Sequence, residues 1–501
     1  MPNKPERIAL YLVLAWCLFA LFAHLDDPQL EFFDEARRAN NALEMARGEA
    51  PSLLTPTYYG RPDHWGTKPP LLVWCQAAWM KLLGPGELAV RLPSALATVA
   101  LLWLLTWWGK RDFGSPLAGA LGGLTVLCSW QYMGNHGART GDYDALLVLF
   151  LTAQVVGFYR YVATDRLRYL FAAGAAVFLA GMTKGVAGGF LLPGIGLWLL
   201  LDRAGRKKIL RPAPYLIVGT AIGLVVGYYF LRETVDPGFL EMLRQNELGG
   251  RFAATNEGHR GPWYYYLLKL VQDQGFVFPL LLLVPGTVYL LRQPAYRRPA
   301  QLLVVCAGTF LVIISVAATK LYWYKSPVLP LLGMLIGAGT YHLARALLAR
   351  YPGVRGRTYL SLLLLVCFAV PMGQISYRVT NAREFRETPS RKVPFRDFMR
   401  RGDVRPPYSV IIDDYNPNAR FYVERLRTLG EDVTLKRYKR LRPFLSLDIQ
   451  PKDVFRVGER VVVCNTDTWE YLFDNFRSKT LVDGGRCKLI LLQKERPDED
   501  R

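Results

Sequence analysis

The sequence predicts a polytopic α-helical membrane protein that ends in a small soluble α/β domain. Of its 501 residues, 51% are hydrophobic, and apolar runs recur from Ile8 to about Arg378. Many of these runs approach the ~20 residues that a helix needs to cross a bilayer. Beyond Arg378 the chain becomes polar and keeps only short apolar runs. This profile excludes a disordered chain, a collagen, a coiled coil and a small disulfide-stapled secreted protein.

The charge of the chain fits the same class. Lys and Arg number 62 against 41 Asp and Glu, which gives a formal net charge of +21. The basic residues lie mainly in short loops between apolar stretches, where such residues orient a membrane protein towards the cytoplasm. We therefore expect no nucleic-acid partner.

Eleven apolar stretches are candidate membrane spans. They are residues 8–25, 88–108, 114–133, 143–161, 168–183, 186–201, 214–231, 275–291, 301–318, 326–348 and 358–378. A further apolar run at 70–83 has only about 14 residues, contains Lys81 and ends before a Gly-Pro-Gly sequence. We expect that run to form a helix that lies on the outer interface without crossing.

The basic loops predict the orientation of these spans. The first apolar run follows Lys4 and Arg7 and has no small-residue cleavage site after it, which is typical of a retained signal anchor. With the N-terminus in the cytoplasm, eleven crossings place each basic short loop on the cytoplasmic side. The same alternation places the loops 26–87 and 232–274 on the outer face, together with the polar tail.

The predicted domains are therefore a membrane domain over residues 1–378 and an extracytoplasmic α/β domain over residues 379–501. The α/β domain contains short buried strands at 408–412, 461–464 and 489–492 and a helix at 418–428. Cys464 and Cys487 lie in this domain and could pair if it is exported, because disulfides form outside the cytoplasm.

The first outer loop carries two kinds of group that could do chemistry. Asp34 and Glu35 precede an amphipathic helix. Asp34 is placed to cap that helix, or its carboxylate could take a proton from an attacking hydroxyl at the membrane edge. Lys68, which is followed by two prolines, could bind a lipid phosphate or could extend to the interface beside an apolar helix.

The second outer loop brings Arg139, Asp142 and Asp144 to one membrane boundary. Asp144 opens an apolar helix and could cap it. The Asp-x-Asp spacing arises often by chance and only weakly indicates a metal site. Lys184 lies between two short helices at their outer ends, where an ammonium group needs an anion such as Asp144 or a phosphate.

The long outer loop adds candidates for binding an anion. Arg251 and His259 lie near a run of Trp and Tyr, a combination that fits a sugar-phosphate site but also an interfacial aromatic belt. Lys320 and Tyr324 belong to another outer turn. The sequence has no Walker phosphate loop, dinucleotide fingerprint or nucleophile elbow. Because the inner loops are also short, we expect a lipid-borne donor rather than a cytoplasmic nucleotide sugar.

The order of these motifs resembles that of the GT-C glycosyltransferases. The motifs are Asp34-Glu35, Lys68-Pro69-Pro70, Arg91-Leu92-Pro93-Ser94-Ala95, Lys184-Gly185, His259 with the Tyr run, and Lys320 to Tyr324. The resemblance covers roughly residues 8 to 345 and is greatest to the bacterial branch that holds the aminoarabinose transferase of lipid A and relatives of protein O-mannosyltransferases. It implies a fold of about 11–13 membrane helices. It also implies transfer, with inversion, of a hexose, pentose or amino sugar from a polyprenyl phosphate such as undecaprenyl phosphate.

The resemblance implies roles for individual residues. Asp34 and Asp144 match acidic residues of the first two outer loops and are the catalytic candidates. The substrate-binding candidates are Glu35, Lys68, Arg139, Asp142, Lys184, Arg251, His259, Lys320 and Tyr324. Thr67 and Leu248 stand where the aminoarabinose transferases have a Glu and a His. No cofactor is expected to be required, since the spacing does not support a divalent metal.

The implied partners are a polyprenyl-phosphate-linked sugar, membrane lipid and an envelope acceptor such as lipid A, a glycan or a protein hydroxyl, at the cytoplasmic (inner) membrane. Two other functions fit parts of the pattern. A transporter or flippase of a lipid-linked sugar usually buries ionisable groups near the bilayer midplane, whereas the predicted spans are nearly free of charge. A non-catalytic scaffold would not depend on Asp34 or Lys68.

Overall fold

Helices form most of the structure, and one small sheet follows them. The computed structural model describes residues 4–31, 33–134, 136–249, 259–381, 395–412, 415–437, 454–464, 472–473 and 475–495. The α-helices are α1 Lys4–Phe22, α2 Asp34–Ala46, α3 Leu71–Leu83, α4 Glu87–Asp112, α5 Pro116–Leu127, α6 Trp130–Met133, α7 Asp144–Thr164, α8 Leu167–Lys184, α9 Leu192–Leu201, α10 Arg203–Ile209, α11 Pro212–Val235, α12 Phe239–Leu243, α13 Tyr265–Val271, α14 Val277–Leu280, α15 Leu283–Arg292, α16 Pro294–Val316, α17 Leu329–Arg350, α18 Val354–Leu364, α19 Val370–Thr380, α20 Phe395–Met399 and α21 Pro417–Thr428. The strands are β1 Thr57–Tyr58, β2 Arg61–Pro62, β3 Tyr408–Ile412, β4 Val433–Arg437, β5 Arg460–Val463, β6 Phe476–Asp483 and β7 Lys488–Glu495.

Within the described ranges, 8 helical segments are long and apolar enough to cross a membrane. They are Lys4–Phe22, Glu87–Asp112, Asp144–Thr164, Leu167–Gly189, Pro212–Val235, Pro294–Val316, Tyr322–Arg350 and Arg357–Thr380. Each of them overlaps one of the predicted stretches. The prediction of a polytopic α-helical membrane protein is confirmed.

The other predicted stretches form shorter or broken helices. The stretch 114–133 divides into α5 and α6, because Ser129 caps α6 by accepting a hydrogen bond from Tyr132 N at 3.1 Å. In 186–201 the α-helix α9 has 10 residues, and 275–291 divides into α14 and α15. Helix α3 has 13 residues, which at about 1.5 Å per residue is too short to cross a hydrocarbon core of about 30 Å.

The centre of the membrane domain is a group of closely packed helices in which α5 contacts both α4 and α17. Glycines allow this approach. A Cβ atom on Gly119 would lie 2.0 Å from the carbonyl oxygen of Leu105 in α4, and one on Gly337 would lie 2.1 Å from the backbone nitrogen of Gly122. Beside this group, α7 packs against α8. Because these two helices are antiparallel neighbours, the start of α7 and the end of α8 meet on the same side of the domain.

The C-terminal part of the chain forms a five-stranded sheet with the order β4-β3-β5-β7-β6. Strand β3 is parallel to β4 and β5, whereas β7 is antiparallel to β5 and β6. The predicted strands correspond to β3, β5 and β7, and the predicted helix corresponds to α21, so the α/β class is confirmed. The sequence does not reveal β4 and β6, since both are edge strands with exposed charged side chains. Cys464 after β5 and Cys487 before β7 form a disulfide.

The α/β domain packs directly on the first outer loop. Apolar side chains of α2 and α3 form one continuous hydrophobic core with those of α20, β3 and α21. Buried polar contacts reinforce this core, because Arg420 of α21 pairs with Glu44 of α2 and Asn418 Nδ2 donates to the carbonyl oxygen of Leu30. The α/β domain therefore has a fixed position next to α2.

Candidate functional site

Asp34 is the first residue of α2 and does not cap it. Phe33 occupies the N-cap position, and no side-chain hydrogen bond caps this helix, so the capping interpretation is wrong. The Asp34 side chain is 42% exposed, with Oδ1 4.0 Å from Arg38 Nη2 and Oδ2 4.0 Å from His136 Nδ1. Asp34 is therefore an accessible carboxylate that faces the second outer loop.

A half-buried histidine links Asp34 to that loop. His136 Nδ1 is hydrogen-bonded to Asp142 Oδ2, and the backbone N–H of Tyr143 donates to Asp142 Oδ1 at 2.7 Å. Burial would lower the pKa of His136, but the charges of Asp142 and Asp34 raise it to about 9. Burial would raise the pKa of Asp142, yet His136 and Lys184 hold it well below its usual range. At neutral pH the two side chains form an imidazolium–carboxylate pair.

Asp144 and Lys184 form an ion pair between the start of α7 and the end of α8. Lys184 Nζ donates to Asp144 Oδ1, and the side chains of the lysine and the aspartate are 12% and 4% exposed. No side-chain hydrogen bond caps α7, so the capping interpretation is wrong for Asp144 as well. Among the described residues, Asp144 Oδ2 has no hydrogen-bond partner. The centre of the Tyr324 ring lies 5.5 Å from Lys184 Nζ, so this ring lies beside the ion pair.

Lys68 and Lys184 line the same cavity, whose volume is about 170 Å³. The other lining residues are Thr67, Gly185, Val186, Tyr229, Leu243 and Glu247. Thr67 Oγ1 donates to Glu247 Oε1 at 3.0 Å, and Lys68 Nζ lies 3.8 Å from the same oxygen. Two ammonium groups beside the apolar side chains of Val186 and Leu243 suit a phosphate that is attached to an apolar chain.

Tyr143 connects this cavity with Asp34. Its ring centre lies 5.6 Å from Lys68 Nζ and 5.2 Å from the guanidinium carbon of Arg38. Arg38 in turn lies 4.0 Å from Asp34 and 3.8 Å from Asp63. The catalytic candidate of the first loop and the two lysines therefore belong to one site.

Asp34, His136 and Asp142 could together hold a divalent cation. One ligand atom from each of them lies within 4.8 Å of the others, and carboxylate with imidazole is a common donor set for transition metals. A metal ion must displace the proton from the imidazole before it can bind. Metal binding and the imidazolium–carboxylate pair are therefore alternative states of the same residues.

Glu35 joins the first and second outer loops and does not line the cavity. Its carboxylate accepts hydrogen bonds from Arg91 Nε at 2.7 Å, from Arg91 Nη2 at 3.0 Å and from the backbone N–H of Gly141 at 2.8 Å. The side chain is only 1% exposed. The expectation that Glu35 binds substrate is corrected, because adjacent residues of a helix point in different directions and Glu35 points inward.

Arg139 and Lys320 bind the C-terminal ends of helices rather than a substrate. The Nη atoms of Arg139 donate to carbonyl oxygens at the end of α1, which belong to Ala20, Leu21, Ala23 and His24. Lys320 Nζ donates to the carbonyl oxygens of Ser315 at 2.8 Å and Ala317 at 2.6 Å, at the end of α16. Helix C-termini leave carbonyl groups without intrahelical partners and attract cations. These contacts correct the expectation that the two residues bind substrate.

The long outer loop is described only in part. Arg251 lies outside the described residues. His259 is exposed, and its carbonyl oxygen accepts a hydrogen bond from Lys320 N at 3.0 Å; its role in binding stays a prediction.

Sequence reasoning misses several residues that hold the site together. Asp63 is buried. Its Oδ1 lies 2.6 Å from Arg37 Nη2, and its Oδ2 lies 3.8 Å from Arg38 Nη1. Burial would raise the pKa of Asp63, but hydrogen bonds from Arg37 and the charge of Arg38 hold it below its usual range. The spacing of Asp34, Arg37 and Arg38 signals that they share one helix face. His136 carries a weaker signal, which is its place in the same short loop as Asp142.

Comparison with known proteins identifies relatives of this chain. The family model described as "Dolichyl-phosphate-mannose-protein mannosyltransferase" matches residues 67–229. The undecaprenyl phosphate-alpha-4-amino-4-deoxy-L-arabinose arabinosyl transferase 2 of Pseudomonas fluorescens is 28% identical over 70% of this chain and 58% of its own length. The transferase of that kind from Aeromonas salmonicida is 28% identical over 72% of this chain and 64% of its own length. The chain thus spans about six-tenths of the length of these relatives.

Solved structures share the fold. ArnT from Cupriavidus metallidurans bound to undecaprenyl phosphate has a TM-score of 0.69 and 19% identity, and the match covers 97% of this chain and 98% of that one. The Archaeoglobus fulgidus oligosaccharyltransferase in the apo form has a TM-score of 0.51 and 12% identity, with coverage of 87% and 65%. The first match includes the α/β domain as well as the membrane helices, so the fold predicted from the sequence is confirmed as a whole.

Proposed function

We propose that this chain, a member of the GT-C superfamily, is a membrane glycosyltransferase that moves a sugar from a polyprenyl-phosphate donor to an envelope acceptor. The observation that carries the proposal is the cavity shared by Lys68 and Lys184. Asp144 pairs with Lys184, and Arg38 and Tyr143 link Asp34 to Lys68. The names of the matched family and of the curated relatives support the class of the donor. The transferred sugar is a pentose or hexose, amino sugars included.

Lys68 and Lys184 are the proposed ligands of the donor phosphate. Negative charge grows on the departing lipid phosphate as the bond to the sugar breaks, and ammonium groups already fixed in place stabilise that charge with little reorganisation. Glu247 lies 3.8 Å from Lys68, and Asp144 pairs with Lys184. The apolar wall of the cavity accommodates the first part of the polyprenyl chain.

Asp34 is the proposed general base. Its side chain is 42% exposed, compared with 9% for Asp142 and 4% for Asp144, so Asp34 is the carboxylate of this group that an acceptor can reach. In a single displacement, the acceptor oxygen bonds to the anomeric carbon while the bond from that carbon to the phosphate oxygen breaks. The electron pair leaves with the polyprenyl phosphate, the acceptor proton passes to Asp34, and the anomeric centre is inverted.

Asp144 supports this step by positioning the sugar or by holding Lys184. An acceptor that is already a phosphate needs no base, and Asp34 then orients it. In both cases Asp34 acts on the attacking acceptor, and Lys68 and Lys184 act on the departing phosphate.

We propose that transfer requires no metal. With a pKa of about 9, His136 places a positive charge between Asp34 and Asp142 at neutral pH, and Lys184 does the same for Asp144. Full activity after dialysis against EDTA is the expected result. Activity that is lost in EDTA and restored by Mg²⁺ or Mn²⁺ would instead assign a metal to Asp34, His136 and Asp142.

The proposed location is the outer face of the cytoplasmic membrane, with the N-terminus inside and the α/β domain outside. The disulfide between Cys464 and Cys487 supports this orientation, because disulfides persist in oxidising compartments. The position of the basic short loops supports it independently.

The test is a transfer assay with the full-length protein in proteoliposomes that contain a polyprenyl phosphate carrying a radiolabelled sugar. Lipid A, envelope glycan and a serine-containing peptide serve as acceptors. Wild type should label an acceptor and release polyprenyl phosphate. Asp34→Asn should stay in the membrane and lose at least about 10²-fold in transfer, and the matched control Asp403→Asn, a carboxylate 50% exposed on the α/β domain, should keep full activity.

Two outcomes would contradict the proposal. Near-normal transfer by the Asp34→Asn variant to acceptor hydroxyls refutes the assignment of the base. Movement of the labelled lipid across the bilayer without cleavage of the sugar–phosphate bond would indicate a transporter instead.

A further inference from the structure

A second cleft, of about 470 Å³, lies on the outer side of the membrane domain. The described residues that line it are distinct from those that line the cavity of Lys68 and Lys184. They include Trp130, Lys269, Asp273, Tyr322 and Arg378. Tyr322 is followed by Trp323, whose ring stacks on that of His136 with the ring centres 4.1 Å apart. Because His136 belongs to the second outer loop, the cleft is on the same face of the membrane as the candidate functional site.

Two cations line this cleft. Arg378 is in the last turn of α19, where it donates to the side-chain oxygen of Gln274, and its guanidinium carbon lies 4.8 Å from the centre of the Trp130 ring. Lys269 is in the last turn of α13, and its Nζ donates to Gln272 Oε1 at 2.9 Å. Amide oxygens and an aromatic face orient a cation without neutralising it.

The acid of the lining is already paired with a lysine. Asp273 is 5% exposed, and its Oδ2 accepts hydrogen bonds from Lys325 Nζ at 2.8 Å and from Ser129 Oγ at 2.6 Å. Lys325 is fully buried. The lining and Lys325 together therefore contain three cations and one carboxylate, and this excess of positive charge favours an anionic ligand.

The surroundings of the cleft indicate an anion that belongs to a lipid. Arg378 is near the end of the segment Arg357–Thr380, which is long and apolar enough to cross a membrane. On α13, which carries Lys269, Leu268 and Val271 are 42% and 56% exposed. Cations at the end of a membrane helix are placed at the level of the lipid headgroups. A phosphate held by the two cations would have its acyl chains beside exposed apolar side chains.

The aspartate indicates the second half of the headgroup. Among the described residues, Asp273 Oδ1 has no hydrogen-bond partner, although a buried acceptor normally has one. A ligand hydroxyl suits this acceptor better than an ammonium group, because Lys325, Lys269 and Arg378 would repel a further positive charge. A phosphate diester whose second alcohol is an uncharged polyol meets both requirements.

We propose that this cleft binds the headgroup of an anionic phospholipid of the phosphatidylglycerol class. Arg378 and Lys269 hold the phosphate, and a glycerol hydroxyl donates to Asp273. The inference goes beyond the proposed glycosyltransferase function, because this lipid is neither the donor nor the acceptor and is not consumed. The bound headgroup joins the ends of α13 and α19 to the helix α6, which begins at Trp130.

The test measures binding of lipid to the full-length protein in detergent by native mass spectrometry. The probe is dioctanoyl phosphatidylglycerol, which is compared with dioctanoyl phosphatidylethanolamine and with soluble glycerophosphoglycerol. Wild type should bind one phosphatidylglycerol at least about tenfold more tightly than either of the other two. Lys269→Gln combined with Arg378→Gln should weaken this binding at least about tenfold, because both charge-assisted contacts with the phosphate are lost.

Two controls show where the lipid binds. Lys81→Gln combined with Arg405→Gln removes the same charge from exposed positions at the end of α3 and on the α/β domain, and it should leave lipid binding unchanged. Lys68→Gln tests the donor cavity and should also leave binding unchanged. Binding that is lost in Lys68→Gln but normal in the double variant of the cleft would overturn the inference.

Two further results would overturn it. Equal affinity for phosphatidylethanolamine would contradict the assignment of an uncharged polyol, and equal affinity for the soluble diester would contradict the assignment to a lipid. If the double variant does not fold, Lys269→Glu alone reverses one charge of the cleft and should weaken binding at least about tenfold. None of these measurements requires sugar transfer, so failure of this inference is distinguishable from failure of the proposed function.

Discussion

His136 Nδ1 lies 4.0 Å from Asp34 Oδ2, although the two residues come from different outer loops. The same nitrogen is hydrogen-bonded to Asp142, so a half-buried cation lies beside the accessible carboxylate. The charge that faces Asp34 from the second loop therefore depends on the protonation of His136.

The stability of the protein should fall when His136 loses its proton. The pKa of His136 rises from 6.5 to about 9 in the folded protein, because Asp142 and Asp34 favour the imidazolium. This contribution to the free energy of unfolding is fully present below pH 6.5 and is lost as the pH rises through about 9. Thermal unfolding measured from pH 6 to 10 should show a falling Tm over that interval in wild type.

His136→Gln should lack this part of the pH dependence, since glutamine does not titrate. The exposed His259 offers a matched control, and His259→Gln should keep the wild-type profile. Identical profiles for wild type and His136→Gln would contradict the assignment of the pair.

Replacing Lys184 should affect both folding and transfer, and a second substitution can separate the two effects. Lys184→Met leaves the Asp144 carboxylate, only 4% exposed, without its partner, at a cost of about 3–5 kcal/mol in the free energy of unfolding. The pair Lys184→Met with Asp144→Asn removes both charges and should recover most of that stability. Transfer by the double variant should still be at least about 10²-fold below wild type.

Lys81→Ala serves as the control, because Lys81 is an exposed lysine in the last turn of α3. A double variant with recovered stability and wild-type transfer would show that the ion pair is structural. Thermal unfolding measures the stability and the proteoliposome assay measures the transfer activity, both on the same preparations.

Glu35 should matter for stability and not for chemistry. Glu35→Gln keeps the shape of the side chain but leaves the buried Arg91 without its charged partner, which should cost about 3–5 kcal/mol in the free energy of unfolding. Transfer per folded molecule should remain near that of wild type at low temperature. Glu49→Gln changes an acid that follows α2 and is 47% exposed, and it should change neither quantity. A catalytic role for Glu35 would appear as lost transfer in fully folded protein.

The contrast between Asp34 and Glu35 shows what could be predicted from the sequence. Hydropathy identifies membrane helices because lipid requires long apolar runs, and the order of short motifs locates the acidic loop. Neither feature tells which of two adjacent acids is accessible, since that depends on how α2 rotates against α4 and the second loop. Arg139 and Lys320 are mistaken for binding residues for a related reason, because cations at a membrane boundary serve helix ends as well as phosphates.

The packing of Tyr415 against Phe33 could not be found from the sequence at all. The two residues lie far apart along the chain, and their ring centres come within 6.2 Å of each other because the α/β domain docks onto α2. The two edge strands are missed because their exposed charged residues dilute the apolar pattern. By contrast, β3, β5 and β7 are found because each has a short apolar run that is buried in the sheet.

The disulfide between Cys464 and Cys487 offers a test of the orientation of the α/β domain. The bond closes a loop between residues separated by 23 positions and should stabilise the domain by about 3 kcal/mol. It also hides two of the 7 cysteines from alkylation, whereas 5 are free thiols. Protein isolated from cells under acid quench, denatured and treated with a polyethylene-glycol maleimide should therefore gain five labels without reductant and seven with it. Seven labels without reductant would place the domain in a reducing compartment and would contradict the proposed orientation.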